Sequence, residues 1–506
     1  MPIQLENYST VRFVHVRCLS QTRLYIKSSA EMEKTMDHKI LIGYAPTRRR
    51  IFSAEDAQKF KNIIANKLRE WEVNFVDIED INSEGLLRCA EDVDPVIDKF
   101  KAAKVDALFI PHCNFGSEHS CAKVARALNV PVLLWGPRDE APLEDGSRLR
   151  DTQCGLFATG KVLRRMQVPF TYIPNCRIED ALFEKGFRNF IATANVVKEF
   201  RNARILQIDT RPADFWTMMV NEGELLEKFG IQLFPITMVE LSDRVKELEA
   251  SDNTDVENTI NFIHTNMEVC VPETSVRRIA SLKVAMKYYA EENKCNAIAI
   301  QCWDALQQSL HIMPCCANAL LTDEGIPVVC ETDIHGAVTA IMVQAAGMGK
   351  TASFFIDWSI RHPHNENGEL LQHCGPWPIS LARTKAKLDR PFAFPEHCPG
   401  SVVAELKPGE ISILRFDGDN GDYGMLMGTA KTIEGPKTIG TYAWVEIPNW
   451  PKVESMIVKG PYVHHAVGIH GNILPVIYEA LTYLPQIHAD FYDEKQEKET
   501  KNFYFQ

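Results

Sequence analysis

From residue 39 onward, short apolar runs alternate with longer stretches whose apolar positions recur with helical spacing. Lys39–Tyr44 (KILIGY), Val73–Ile78, Val105–Pro111 (VDALFIP) and Val130–Trp135 (VPVLLW) predict strands. Helices are expected from Ser53, over Asp92–Ala103 and from Ser117, the first opened by the capping-box pattern Ser53-Ala-Glu-Asp. Strands that alternate with helices of about ten residues or more build βαβ units around a buried parallel sheet. A second run of this kind follows Cys176, with strands expected at Arg204–Asp209, Ile231–Pro235, Ala297–Gln301 and Pro327–Cys330. Helical patterns at Phe215–Phe229, Val239–Ala250 and Ser275–Asn293 lie between them.

After about residue 350 the helical period fades. Val402–Glu405, Ile411–Phe416, Met425–Thr429 and Thr441–Ile447 read as short strands separated by turn-rich segments such as Gly418-Asp-Asn-Gly-Asp, the texture of an antiparallel sheet or barrel. A last helix is expected near Leu474–Leu484. The fold class expected is α/β, with two Rossmann-like parallel-sheet domains followed by a C-terminal β-barrel-like domain. The boundaries read as an extension over 1–38, α/β domains over 39–175 and 176–349, a β-rich domain over 350–490 and a tail over 491–506 that lies outside the fold.

Composition narrows the function more than the fold. The 506 residues are 45% hydrophobic and 24% charged, which suits a soluble globular protein. A net charge of −12, spread along the chain, argues against nucleic acid or an anionic membrane as the main partner. Fourteen cysteines are scattered without framework spacing, so reduced, mostly buried thiols are expected. No apolar stretch approaches the roughly twenty residues a membrane span needs, and the first 38 residues lack a signal-peptide apolar core, so a cytoplasmic protein is expected.

Two nucleotide motifs fail. Gly347-Met-Gly-Lys-Thr351 resembles the end of a phosphate-binding loop, but Gln344 stands where that loop needs its first glycine. After the first strand, Gly43-Tyr-Ala-Pro46 puts proline where a dinucleotide fingerprint needs a glycine turn.

Carboxylates and histidines form the more informative constellation. Glu331 stands just past the apolar strand Val328-Val-Cys, and Asp357 ends the apolar run Ser353-Phe-Phe-Ile. A carboxylate buried there needs a cation or another partner, although either acid alone also suits a helix cap or a turn. His373 follows in Gln372-His373-Cys-Gly, and His464, His465 and His470 cluster in VHHAVGIHG. Two carboxylates with imidazole nitrogens suit Mn²⁺, Mg²⁺, Co²⁺ or Fe²⁺ better than structural zinc.

These segments resemble the L-fucose isomerase and L-arabinose isomerase superfamily in order and spacing, from about residue 39 to about 487. Cys330-Glu331-Thr332-Asp333 and Phe355-Ile-Asp357 are similar to the family's Thr-Glu-Asn-Asp and Phe-Ala-Asp. Asn296–Gln301 with Trp303-Asp304, the loop Pro111-His-Cys-Asn-Phe-Gly-Ser-Glu118 and His464-His465-Ala-Val extend the match. The resemblance implies metal ligands at Glu331, Asp357 and His465, with His373 as a fourth in the arabinose isomerase manner. It implies substrate contacts at Gln301, Trp303, Asn114 and His464, and from Arg48 and Arg49, whose loop the family lends to a neighbouring subunit. A divalent metal, manganese first with magnesium or cobalt as alternatives, and a homo-hexamer or trimer-based assembly are implied as well. Cys113 stands where fucose isomerases carry a stacking tryptophan, and Pro399-Gly-Ser-Val-Val lacks their tyrosine, which argues against L-fucose itself.

The activity implied is aldose–ketose isomerisation through a cis-enediolate, with Glu331 and Asp357 as the acid/base pair. Thr47-Arg-Arg-Arg50 is more basic than a neutral sugar requires, and raises an anionic hexose, sulfonated as in sulfoquinovose or phosphorylated, as the alternative substrate. A sugar-binding protein without catalysis, and an aldolase or epimerase of the same enediolate chemistry, are the rival readings.

Overall fold

The computed structural model describes residues 40–392 and 398–505; the N-terminal extension over 1–38 lies outside the described residues. The first sheet contains β1 (Ile42–Tyr44), β2 (Phe75–Val76), β3 (Ala107–Pro111), β4 (Val132–Trp135) and β5 (Thr171–Tyr172), in the order β2-β1-β3-β4-β5. All its pairings are parallel. The strand residues of β1, β3 and β4 are buried without alternation, as a sheet covered by helices on both faces requires.

The second sheet is also parallel. It contains β6 (Arg204–Ile208), β7 (Gln232–Ile236), β9 (Ala297–Ile300) and β10 (Val328–Val329), ordered β10-β9-β6-β7. The short β8 (Glu268–Val269) leaves this region to pair with a strand of the third sheet. The helix expected over Phe215–Phe229 is instead a 3₁₀ turn, Trp216–Met218, and a helix, Glu222–Phe229. Asn221 explains the break: its side chain accepts the Glu224 N–H at 3.2 Å and caps the helix there.

The remaining strands are β11 (Phe354–Arg361), β12 (Gly368–His373), β13 (Lys387–Asp389), β14 (Ser401–Glu405), β15 (Glu410–Asp419), β16 (Asp422–Ile433), β17 (Thr441–Glu446), β18 (His465–His470) and β19 (Ile487–Phe491). Six of them close on themselves in the order β16-β15-β18-β11-β12-β17, and the β16–β17 pairing completes the ring. This is an antiparallel barrel, a closed sheet without free edges. β19 extends it beside β16, while β14, β13 and β8 extend it beside β17. Two expectations need correction here. Asp357 lies in the middle of β11, not at a strand end, because the strand continues antiparallel to Arg361. Residues expected as a tail carry the helix Glu494–Lys501, capped by Asp493, and Tyr504 reaches Asn189 at 3.4 Å.

The helix Ile334–Ala346 (IHGAVTAIMVQAA) joins the second sheet to the barrel. Nearly every side chain along it is buried, so it is apolar all round instead of along one stripe. It packs against β9 and β10 on one side and β15 and β18 on the other. Each fully buried Val, Ile or Met there contributes about 1.5–3 kcal/mol, which holds the helix's N-terminal end against the barrel mouth.

Candidate active site

Four side chains from four segments meet at that mouth. Glu331 follows β10, Asp357 comes from β11, His373 ends β12 and His465 begins β18. Asp357 and His465 are direct cross-strand partners, which places their side chains on the same face. His465 Nε2 lies 3.5 Å from Glu331 Oε2 and 3.3 Å from Asp357 Oδ1. His373 Nε2 lies 3.6 Å and 3.8 Å from the same two oxygens. Glu331, His373 and His465 are buried, whereas the Asp357 side chain keeps 28% of its surface exposed and marks the open side.

The backbone before the site is strained. Glu331 and Thr332 both take left-handed φ angles of 53°, a conformation that costs about 1–3 kcal/mol for such residues. Three hydrogen bonds offset that cost: Thr332 N–H to the Ile300 carbonyl at 3.1 Å, Thr332 Oγ1–H to the Thr210 carbonyl at 3.2 Å and Asp333 N–H to the Cys330 carbonyl at 3.1 Å. The turn directs the Glu331 carboxylate into the cluster. Its Oε1 then accepts from Trp303 Nε1–H at 3.0 Å and from Cys302 Sγ–H at 3.2 Å, leaving Oε2 for the histidines.

Behind the cluster runs a buried charged relay. Asp333 caps the helix Ile334–Ala346 by accepting the Gly336 N–H at 2.8 Å. The same carboxylate lies 3.0 Å from His465 Nδ1 and is gripped by both terminal nitrogens of Arg415, Nη2 to Oδ1 at 3.1 Å. Arg415 also binds Asp417, Nε to Oδ2 at 2.8 Å, and Asp417 Oδ1 receives His335 Nδ1 at 2.7 Å. Burial pushes the Asp333 carboxyl up, but Arg415 and His465 outweigh it and hold the group far below the carboxylate range. Because Asp333 can only accept, His465 carries its proton on Nδ1 and presents a lone pair from Nε2. Burial likewise raises Glu331, and the neighbouring His373 and His465 rings bring it down to about 2.

The donor set fits a divalent cation. Glu331 Oε2, Asp357 Oδ1 and His373 Nε2 are buried atoms with no hydrogen-bond partner, an arrangement that is costly unless something charged occupies the space between them. The ligand-type atoms of Glu331, His373 and His465 lie within 4.8 Å of one another. Carboxylate oxygens with imidazole nitrogen suit a hard or borderline divalent ion.

The other expected site residues are distributed unequally. Trp303 touches Glu331 directly, and Gln301 follows the neighbouring strand β9 with its Oε1 buried and unpartnered. His464 is exposed at the rim, its ring 4.2 Å from that of His465. Arg48, Arg49 and Asn114 are instead at the edge of the first sheet. Arg48 pairs with Glu84, Nη2 to Oε1 at 2.7 Å, and Arg49 binds the Gly116 carbonyl at 3.0 Å and Glu118 at 3.2 Å. The Asn114 side-chain oxygen accepts the Arg49 N–H at 2.7 Å. Among the described residues, no hydrogen bond or ion pair joins this loop to the Glu331 cluster. Sequence reasoning missed Asp333, Arg415, Asp417 and His335. A signal existed in β15, where Arg415 and Asp417 share a face with Ile411 and Ile413, charges on a strand face that is otherwise apolar.

The family model described as Fucose/sulfoquinovose isomerase, N-terminal domain, matches residues 43–201. The chain is 24% identical to a sulfoquinovose isomerase of Priestia megaterium over 85% of its length and 94% of the relative. It is also 24% identical to a sulfoquinovose isomerase of Alkalicoccus urumqiensis, over 87% of its length and 97% of the relative. Among solved structures, a periplasmic solute binding protein of Actinobacillus succinogenes with bound D-allose aligns at 10% identity over 62% of this chain and 92% of that one. Its TM-score of 0.16 carries no argument. By the matched family and relatives, the reaction class is that of an aldose–ketose isomerase. The matched family model and these relatives support the resemblance to the L-fucose isomerase and L-arabinose isomerase superfamily.

Proposed function

We propose that this chain isomerises an anionic aldose, with sulfoquinovose as the first candidate, using a divalent metal held by Glu331, Asp357 and His465. The observation that carries the metal reading is the set of unpartnered buried oxygens on two acids, faced by a histidine whose proton is committed to Asp333. Manganese is the first ion to test. When bound, the ion supplies Lewis-acid polarisation of the sugar carbonyl. Glu331, whose neighbouring histidines keep it ionised at neutral pH, and Asp357 are placed to take the proton from one carbon and return it to its neighbour. The indole and thiol on Glu331 Oε1 orient that carboxylate, so the base does not rotate away from the sugar.

Curated relatives bearing the name sulfoquinovose isomerase support the anionic substrate. The basic loop supports it too, although Arg48 and Arg49 already have carboxylate partners, so a sulfonate would compete with Glu84 and Glu118. We further propose a cytoplasmic homo-oligomer in which this loop serves a neighbouring copy. Ile51, which directly follows Arg50 and is 77% exposed, supports such a contact. No helix among the described residues is long and apolar enough to cross a membrane.

Isomerisation of sulfoquinovose, glucose, L-fucose and a hexose phosphate should be assayed side by side by NMR. Turnover of the sulfonated sugar at least tenfold above the neutral ones supports the proposal, and preference for a neutral sugar contradicts it.

A further inference from the structure

Loops that follow three neighbouring strands of the second sheet meet in a row beside the site. Glu331 follows β10, Trp303 follows β9, and Phe215 lies in the loop after β6. The Trp303 indole N–H reaches Glu331 Oε1 at 3.0 Å, and the Phe215 ring packs on the Trp303 ring, centroids 5.6 Å apart with planes at 52°. The same loop also grips the backbone beside Glu331, because its Thr210 carbonyl accepts the Thr332 hydroxyl at 3.2 Å. Met218, which is buried, and Val220, which packs on the core that Trp303 also touches, anchor the loop's far end.

The Trp303 indole needs a brace. Asp304, the next residue, has φ 65° and ψ −59°, and the Ala305 N–H closes on the Trp303 carbonyl at 3.1 Å. This is a γ-turn of the strained hand, a conformation that persists only where its surroundings over-determine it. The indole is the stronger donor on Glu331 Oε1, since the Cys302 thiol that shares this oxygen donates weakly. The direction of the carboxylate thus depends on an indole whose own backbone is strained and whose ring leans on Phe215.

We propose that Phe215 is a positioning residue for isomerisation: its ring holds the Trp303 indole on Glu331 and so keeps that carboxylate aimed at the sugar carbons. This rests on the isomerase reading above. Proton transfer depends steeply on the placement of the base, so a small rotation of Glu331 lowers turnover while sugar binding is nearly kept. Trp216, the next residue in the loop, is 71% exposed to solvent and serves as the control.

A double-mutant cycle with Trp303 tests this in full-length, Mn²⁺-loaded protein. Phe215→Ala should lower kcat about tenfold to a hundredfold with KM changed less than about twofold. Trp216→Ala should keep wild-type turnover, and Phe215→Tyr, which retains the ring, should recover most of the loss. In the Trp303→Phe background, which already lacks the indole N–H, Phe215→Ala should lower kcat no further. A second readout needs neither metal nor turnover. In ¹⁵N-tryptophan-labelled protein, the Trp303 indole N–H, assigned by its loss in Trp303→Phe, should exchange with deuterium about tenfold faster in Phe215→Ala, and at the wild-type rate in Trp216→Ala. Equal losses of kcat from Phe215→Ala in both backgrounds, a matching loss in Trp216→Ala, or an unchanged indole exchange rate in Phe215→Ala overturns the inference. Where Phe215→Ala does not fold, Phe215→Leu takes its place in each comparison. Wild-type protein that turns over no aldose overturns the isomerase reading instead, and indole exchange then decides alone whether Phe215 holds the hydrogen bond.

Discussion

Asp333 and His465 lie 132 positions apart in the chain, and the carboxylate of the first meets Nδ1 of the second at 3.0 Å. One residue caps a helix of the second α/β region and the other begins a barrel strand, so the contact joins the two parts of the fold at the site. Replacing Asp333 by Asn removes the acceptor charge that holds the His465 tautomer. Mn²⁺ affinity should fall about 10- to 100-fold, measured by calorimetry on chelator-stripped protein. An unchanged affinity would show that the carboxylate does not orient this ligand.

Arg415 bridges Asp333 and Asp417 with its guanidinium almost wholly buried. Arg415→Met leaves two buried carboxylates without their cation. The expected cost is about 3–5 kcal/mol in urea-induced unfolding, well above the cost of a surface ion pair such as Lys495–Glu499. A loss under about 1 kcal/mol would mean that water or His335 compensates.

Glu331→Gln keeps the side chain's shape and its contact with Trp303 but removes the charge. The fold should survive, with near-wild-type circular dichroism, while turnover falls by about 100- to 10,000-fold. Retained turnover would remove Glu331 from the acid/base role.

The depressed carboxylates set an acid limit. Glu331, with a pKa of about 2 in the folded protein, binds its proton later than it would unfolded, where an ordinary value near 4.3 applies. The stabilisation it contributes is complete above the unfolded value and is lost as pH falls from there toward about 2. Asp333 and Asp417 act in the same direction. Stability of metal-stripped protein should therefore decline below about pH 4.5, and the deficit of Asp333→Asn relative to wild type should shrink over the same range. A deficit that stays constant down to pH 3 would contradict the assignment.

Much of this site was legible before any coordinates. Glu331 and Asp357 stood out as acids that directly follow apolar runs, and the His464-His465 pair narrowed the proposed nitrogen ligand to two positions. Geometry separates that pair: His465 is backed by Asp333 and buried, and His464 is at the rim. The barrel's closure was not legible, because the β16–β17 pairing depends on long-range register that no local pattern encodes. The relay was missed for a related reason. Arg415 and Asp417 sit in β15 far along the chain from Asp333, and only the packing of the helix Ile334–Ala346 against that strand brings them together.

The most direct test is isomerisation of sulfoquinovose by the full-length protein, followed by NMR after metal stripping and again after Mn²⁺ is restored. The expected result is no ketose from the stripped protein and its appearance on reconstitution. Equal turnover in the stripped protein, or no isomerisation of any aldose with Mn²⁺ bound, would contradict the assignment of a metal-dependent sugar isomerase.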